Sequence, residues 1–354
     1  MRDKWFYNKI TWFSFVFSLL VIWIHSYNAE LYLGKSLEME AVYRLEHRIG
    51  DGLGQIAVPG FFMISGYLFY RNFAWSRLGE KWNRRIRSVL IPYILWNFLY
   101  YMGYVIGSRL PWMTDIVGKG VVPFDLFTAV DAVINYTYNY VFWYLYQLLL
   151  LILLAPVLYL ILKCFWSRLL FLIALWWMVA AKKQLPFVNA DALIYYSSAA
   201  SLALSKRQWV EPAENGNGYK TDTKKEKCRQ MFWGAGMIAG AYAAYQIGMR
   251  AAFVPCFVLC RLLAAAGLWM AVSAEGLPEA KDFMRHNFFL YGVHFALVRF
   301  INKAGAQVFP AVWAVPLILY LLMPLLVLGI ASFLGRGLRR RMPLVWSLMN
   351  GGRI

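Results

Sequence analysis

Acidic residues are scarce in this 354-residue chain. Asp and Glu number 18 against 36 Lys and Arg, and charged residues make up 15% of a sequence that is 61% hydrophobic. A chain so poor in charge is not a soluble domain, which has no use for that much apolar surface. Cysteines number four, with no metal-ligand spacing to histidine. Cys256 and Cys260, one turn apart in an apolar run, read as small core residues, so neither a disulfide framework nor a metal site is implied. The short alternating segments of an outer-membrane barrel are missing. The basic start MRDKWFYNK is followed by no small-residue cleavage site, so the first apolar run reads as a retained helix and not as a signal peptide.

What the sequence does hold is long apolar runs, about ten of them: 10–28, 53–70, 88–107, 140–163, 167–181, 188–205, 231–248, 252–273, 287–302 and 310–334. These predict an all-α polytopic membrane protein, a bundle of about ten transmembrane helices around a central cavity, as a single domain over 1–354. The net charge of +18 falls mostly in the connections 1–9, 71–87, 163–168, 206–230, 274–286 and 335–354. The other side has little beyond Lys35, Lys119, Lys182, Lys183 and Arg250. This asymmetry places both termini in the cytoplasm and reads as topology, not as a nucleic-acid surface. The hydrophilic stretch at about 207–230 is a cytoplasmic loop, and 335–354 is a basic tail.

His25 closes the first apolar run. An ionisable group at that depth faces a cavity, or else sits at headgroup level where an amphipathic ring is comfortable. At 1.5 Å per residue it lies about 22 Å along the helix, nearer the outer side. Arg84, Arg85 and Arg87 crowd the cytoplasmic mouth, where they hold an anionic ligand or merely fix topology against acidic lipid. Trp143, Tyr144 and Gln147 fall within about one turn and share a face.

Four segments in order resemble the acyltransferase 3 family of multi-helix membrane acyltransferases, which includes O-antigen acetylases and the membrane half of vancomycin-resistance serine racemases. LLVIWIHS carries His25; VPGFFMISGYLF carries Phe62, Ser65 and Gly66; KWNRRIRSVLIPYILWN carries Arg84, Arg87 and Pro92; and FWYLYQLLLLILLAP with FFLYGVHF carries Trp143, Tyr144, Gln147, Tyr291 and His294. Phe15 stands where many members have an arginine, so no role of that arginine is carried over. No soluble racemase or esterase-like segment is expected beside the membrane module.

The resemblance implies transfer of an acyl group, by family majority acetyl, from cytosolic acyl-CoA to a hydroxyl of a cell-envelope or exopolysaccharide sugar, in the bacterial inner membrane. It gives His25 as general base by direct attack, Arg84, Arg85 and Arg87 as the coenzyme A phosphate site, and Phe62, Ser65, Trp143, Tyr144, Gln147, Tyr291 and His294 as cavity lining. Acetyl-CoA is the donor substrate and no metal is expected; the partners are acyl-CoA, the glycan acceptor and membrane lipid. Small residues such as Ser65 and Gly66 also suit a close helix contact. A secondary transporter or flippase would share the helix count and buried histidine, though the two five-helix halves show no similarity. A catalytically silent partner domain is the other reading.

Overall fold

The computed structural model describes residues 2–32, 38–211 and 224–352. Lys35, most of the hydrophilic loop and the last two residues of the tail lie outside the described residues. Among the described residues every regular element is helical. The first five α-helices are α1 Arg2–His25, α2 Met39–Gly52, α3 Ala57–Tyr70, α4 Leu78–Arg85 and α5 Ile91–Gly107. Then come α6 Thr114–Val117, α7 Leu126–Ile134, α8 Trp143–Leu153, α9 Ala155–Leu162, α10 Phe165–Ala180 and α11 Ala190–Ser205. The last six are α12 Lys224–Ala251, α13 Val254–Ala271, α14 Asp282–Arg285, α15 Asn287–Val308, α16 Ala314–Arg341 and α17 Pro343–Met349.

Each of the ten apolar runs is helical over most of its length. Among the described residues five stretches are long and apolar enough to cross a membrane, or six if the bent pair Tyr140–Leu153 and Ala155–Leu162 is one span. The five are Asp3–Tyr32, Met39–Tyr70, Trp75–Gly107, Val254–Ala271 and Ala314–Arg341. The run 140–163, expected as one span, is bent by 64° between α8 and α9. Pro156, at the start of α9, has no N–H for the preceding turn, which explains the break. Pro59, by contrast, lies in the first turn of α3, where a missing N–H costs nothing. The polar stretch after the first span contains α2, whose Met39, Val42, Glu46 and Gly50 are buried. Spacings of three and four put those residues on one helical stripe.

The contacts divide the chain into two units. The first comprises Met1–Phe17, Ile56–Trp82 and Gln147–Met284. Its helices approach through small residues: a side chain at Gly66 would run into the Tyr196 carbonyl, so α3 meets α11 backbone to backbone. Gly234 and Gly267 close the α12–α13 hairpin in the same way. Phe62 is buried on α3. Gln147, expected as cavity lining, clasps the turn before α11: Nε2 donates to the Phe187 carbonyl and Oε1 accepts from the Asn189 N–H, both at 2.9 Å. Phe187 has φ +65°, a strained left-handed conformation that those two bonds hold in place.

An ionic corner completes this unit. The Glu211 carboxylate accepts from Arg71 Nε at 3.0 Å, Arg207 Nε at 3.1 Å and Tyr67 Oη at 2.6 Å, while Arg71 also reaches Asp3 at 2.7 Å. Burial pushes the Glu211 carboxyl up, but the Arg71, Arg207 and Tyr67 hydrogen bonds outweigh it and hold the group at about 2.

A carboxyl held below its ordinary 4.5 stabilises the fold fully above that value, and the contribution is lost as pH falls toward about 2. The gap in melting temperature between wild type and Glu211→Gln is therefore constant above pH 5 and narrows as pH falls from 4.5, as thermal melts across that range will show. Gly66→Val destabilises by about 1–3 kcal/mol through overpacking against Tyr196, measurable by denaturation in detergent.

Candidate active site

The second unit, Ser18–Gln55, Asn83–Tyr146 and Arg285–Ile354, contains His25. Helix α1 stops at this residue because the chain turns away and other groups satisfy its end. Asn302 Nδ2 donates to the Ser26 and Tyr27 carbonyls at 3.2 Å, caps that a helix C-terminus needs where water is excluded. Beyond them the Asn28 and Ala29 N–H groups donate to Glu46 Oε2 at 3.0 and 3.2 Å. Tyr320 Oη donates to the Glu46 carbonyl at 3.0 Å, and Asn28 Nδ2 to the Pro316 carbonyl at 3.2 Å. The histidine thus sits on a chain reversal pinned from α2, α15 and α16.

Around the half-buried His25 ring stand Tyr140, His294 and Phe295. Tyr140 Oη lies 3.1 Å from His25 Nδ1, and the two imidazole rings are 5.5 Å apart between centroids. Phe295 meets both His25 and Tyr140 edge-on, at 5.9 and 4.7 Å. His294 is 0% exposed, and its Nδ1 lies 2.5 Å from the Tyr291 carbonyl. A carbonyl only accepts, so Nδ1 carries the proton and Nε2 is a bare lone pair. That lone pair is buried without a partner. Unpaired buried acceptors are costly, and one that faces a second imidazole is available to a donor entering between the rings.

Helices α15 and α5 hold His294 in place. Tyr100 Oη donates to the Gly292 carbonyl and accepts from the Ala296 N–H, both at 3.0 Å, bracketing His294. Any side chain at Gly292 would enter the Trp96 indole, whose Nε1 is bonded to the Met349 carbonyl. Tyr291 donates to the Val141 carbonyl at 2.7 Å and stacks on Phe142. It also packs edge-on against Tyr144, so two expected lining residues brace the segment that bears Tyr140. Trp143, half-buried, follows Phe142 directly. Farther along α15, Arg299 donates to Tyr104 Oη at 2.8 Å and Lys303 to the Asp115 and Ile116 carbonyls at 2.8 Å.

Arg84 and Arg85 end α4, and Arg87 lies in the π-helical turn Ile86–Leu90 that leads into α5. Arg84 and Arg87 are exposed and Arg85 is partly so. Thirteen residues separate Arg87 from Tyr100, so the cationic cluster lies about 20 Å along the helix from the level of the histidine pair. A π turn inserts one residue per turn and is frequent at functional sites. Phe62 and Ser65, on α3, belong to the first unit.

Sequence reasoning missed Glu46, Asn302 and Tyr140. Glu46 stood among the other charges of a polar stretch, and only its place four residues after Val42 on an apolar stripe marks it. Asn302 carried no signal, because capping a carbonyl of a distant helix leaves no local pattern.

Histidine-labelled protein studied by 15N NMR will show His294 as the Nδ1–H tautomer; an Nε2–H tautomer would contradict this geometry. A family model described as an acyltransferase domain matches residues 7–349. No curated protein and no solved structure matches the chain.

Proposed function

The chain belongs to the acyltransferase 3 family, and from that premise we propose that it transfers an acetyl group from acetyl-CoA to a hydroxyl of a cell-envelope or exopolysaccharide sugar. It is a multi-pass membrane protein of acyltransferase type. The observation that carries the finer reading is the pairing of His25 with a buried, bare His294 Nε2.

In this reading the coenzyme A phosphates lie on Arg84, Arg85 and Arg87, whose guanidinium forks suit phosphate oxygens. The pantetheine arm runs along α5 toward the histidines. The acceptor hydroxyl attacks the thioester carbonyl and gives its proton to His25. The tetrahedral intermediate collapses with cleavage of the C–S bond, and the proton passes to the thiolate to yield free coenzyme A. Tyr140 orients the imidazole through Nδ1, which leaves Nε2 of His25 for the hydroxyl when Nδ1 carries the proton. His294 Nε2 accepts a hydrogen bond from a second hydroxyl of the sugar. The excess of Lys and Arg in the connections that include 71–87 supports placing these arginines on the cytoplasmic side, where acyl-CoA is made.

Membranes holding wild-type protein and envelope glycan, given acetyl-CoA labelled in the acetyl group, transfer label to the glycan. His25→Ala abolishes transfer without changing acetyl-CoA binding, whereas Arg84→Ala/Arg87→Ala raises the KM for acetyl-CoA by about tenfold or more. Tyr140→Phe lowers kcat by about tenfold, the worth of one orienting hydrogen bond. Label that stays on coenzyme A with wild type, or a His25→Ala protein as active as wild type, rules the assignment out.

A further inference from the structure

We infer that the acceptor glycan is acidic: Arg299 and Lys303 on α15 hold a carboxylate or phosphate oxyanion that the sugar carries close to the acetylated hydroxyl. The inference names the chemistry of the acceptor and rests on the acyl-transfer reading for that guest's role. Arg299 stands one helical turn, about 6 Å, beyond Phe295 on α15. The Phe295 ring is a wall common to both places. Arg299 Cζ lies 5.8 Å from its centroid, the His25 ring 5.9 Å and the Tyr140 ring 4.7 Å. Tyr140 is exposed, so the histidine pair is open on this flank. A guest one or two sugar rings long, with a hydroxyl at His25, reaches Arg299.

The cations at this corner lack counter-charges. Arg299 is half-buried, and its guanidinium donates to Tyr104 Oη at 2.8 Å and to the Ile116 carbonyl at 3.3 Å. Lys303, also half-buried, has the Asp115 and Ile116 carbonyls as acceptors. Lys119 Nζ donates to the Thr137 carbonyl at 3.2 Å and lies 5.7 Å over the Tyr104 ring, which Arg299 Cζ overlies at 5.8 Å. All of these partners are neutral, and among the described residues none of the three cations is ion-paired with a carboxylate. The acids of the neighbouring segment are placed otherwise. Asp115 gives Lys303 its carbonyl, Asp125 binds Thr128, and Asp131 binds Asn135 and Thr137. Arg299 and Lys303 are four residues apart on one helix, a spacing at which like charges repel. Half-buried cations in that state gain from an oxyanion set between them, and the guanidinium fork matches a carboxylate or a phosphate. Neutral donors would have sufficed to pin the loop.

The test measures glycan binding and label transfer by the purified full chain in detergent. Envelope glycan is used intact, after carboxyl reduction with carbodiimide and borohydride, and after removal of phosphate with hydrogen fluoride. Wild type is expected to bind intact glycan at least tenfold more tightly than one of the treated forms, and the treatment that weakens binding identifies the anion. Arg299→Gln, which keeps a donor but no charge, is expected to lose about tenfold of the affinity for intact glycan, and Lys303→Gln likewise. Arg299→Lys is expected to recover part of the loss. In transfer assays the loss appears in the KM for glycan and not in that for acetyl-CoA. A wild type that binds no glycan or binds all three forms alike, or an Arg299→Gln protein that binds intact glycan as wild type does, would overturn the inference. Preferential binding of intact glycan without transfer of label would remove the acyl-transfer reading and leave the anion site in place.

Discussion

One buried carboxylate anchors the candidate active site. Glu46 is 0% exposed, and its Oε2 accepts the N–H groups of Asn28 and Ala29 where the chain leaves α1. A carboxyl group away from water is costly, and the two backbone hydrogen bonds to Oε2 recover part of that cost. Those bonds fix the direction of the chain just beyond His25. Asn302, Asn28 and Tyr320 then tie the same reversal to α15 and α16. Without that arrangement the last turn of α1 would fray, and the imidazole would have no defined place beside Tyr140 and His294.

A second theme runs through both units. Helices that bend, break or end in an apolar setting leave carbonyls that water cannot reach, and aromatic side chains supply the donors. Tyr70 donates to Ala155 and Trp82 to Ile152 at the broken α8–α9 pair. Tyr93 donates to Val133, Tyr100 to Gly292, Tyr291 to Val141 and Trp96 to Met349. A sequence 18% aromatic thereby gains polarity where it is needed and adds no charge.

The helical class and the helices themselves were legible because long apolar runs admit little else. The motif with His25 and the motif with His294 were legible one at a time, and the structure brings their rings together although 269 residues separate them. The pinning groups were not legible. Glu46 and Asn302 act through backbone atoms of distant helices, and such partners follow from tertiary packing, not from local pattern. Gln147 shared a predicted face with Trp143 and Tyr144, yet its amide has both a donor and an acceptor to satisfy, and the strained turn at Phe187 satisfies them.

The most direct measurement is the steady-state release of free coenzyme A from acetyl-CoA by purified Glu46→Ala, with Glu46→Gln as the variant that keeps one acceptor oxygen. If the pinned reversal positions His25, Glu46→Ala lowers kcat by about 100-fold, the cost of a misplacement of about 1 Å, with the KM for acetyl-CoA unchanged, and Glu46→Gln recovers part of the loss. A folded Glu46→Ala protein that turns over at the wild-type rate would contradict the account.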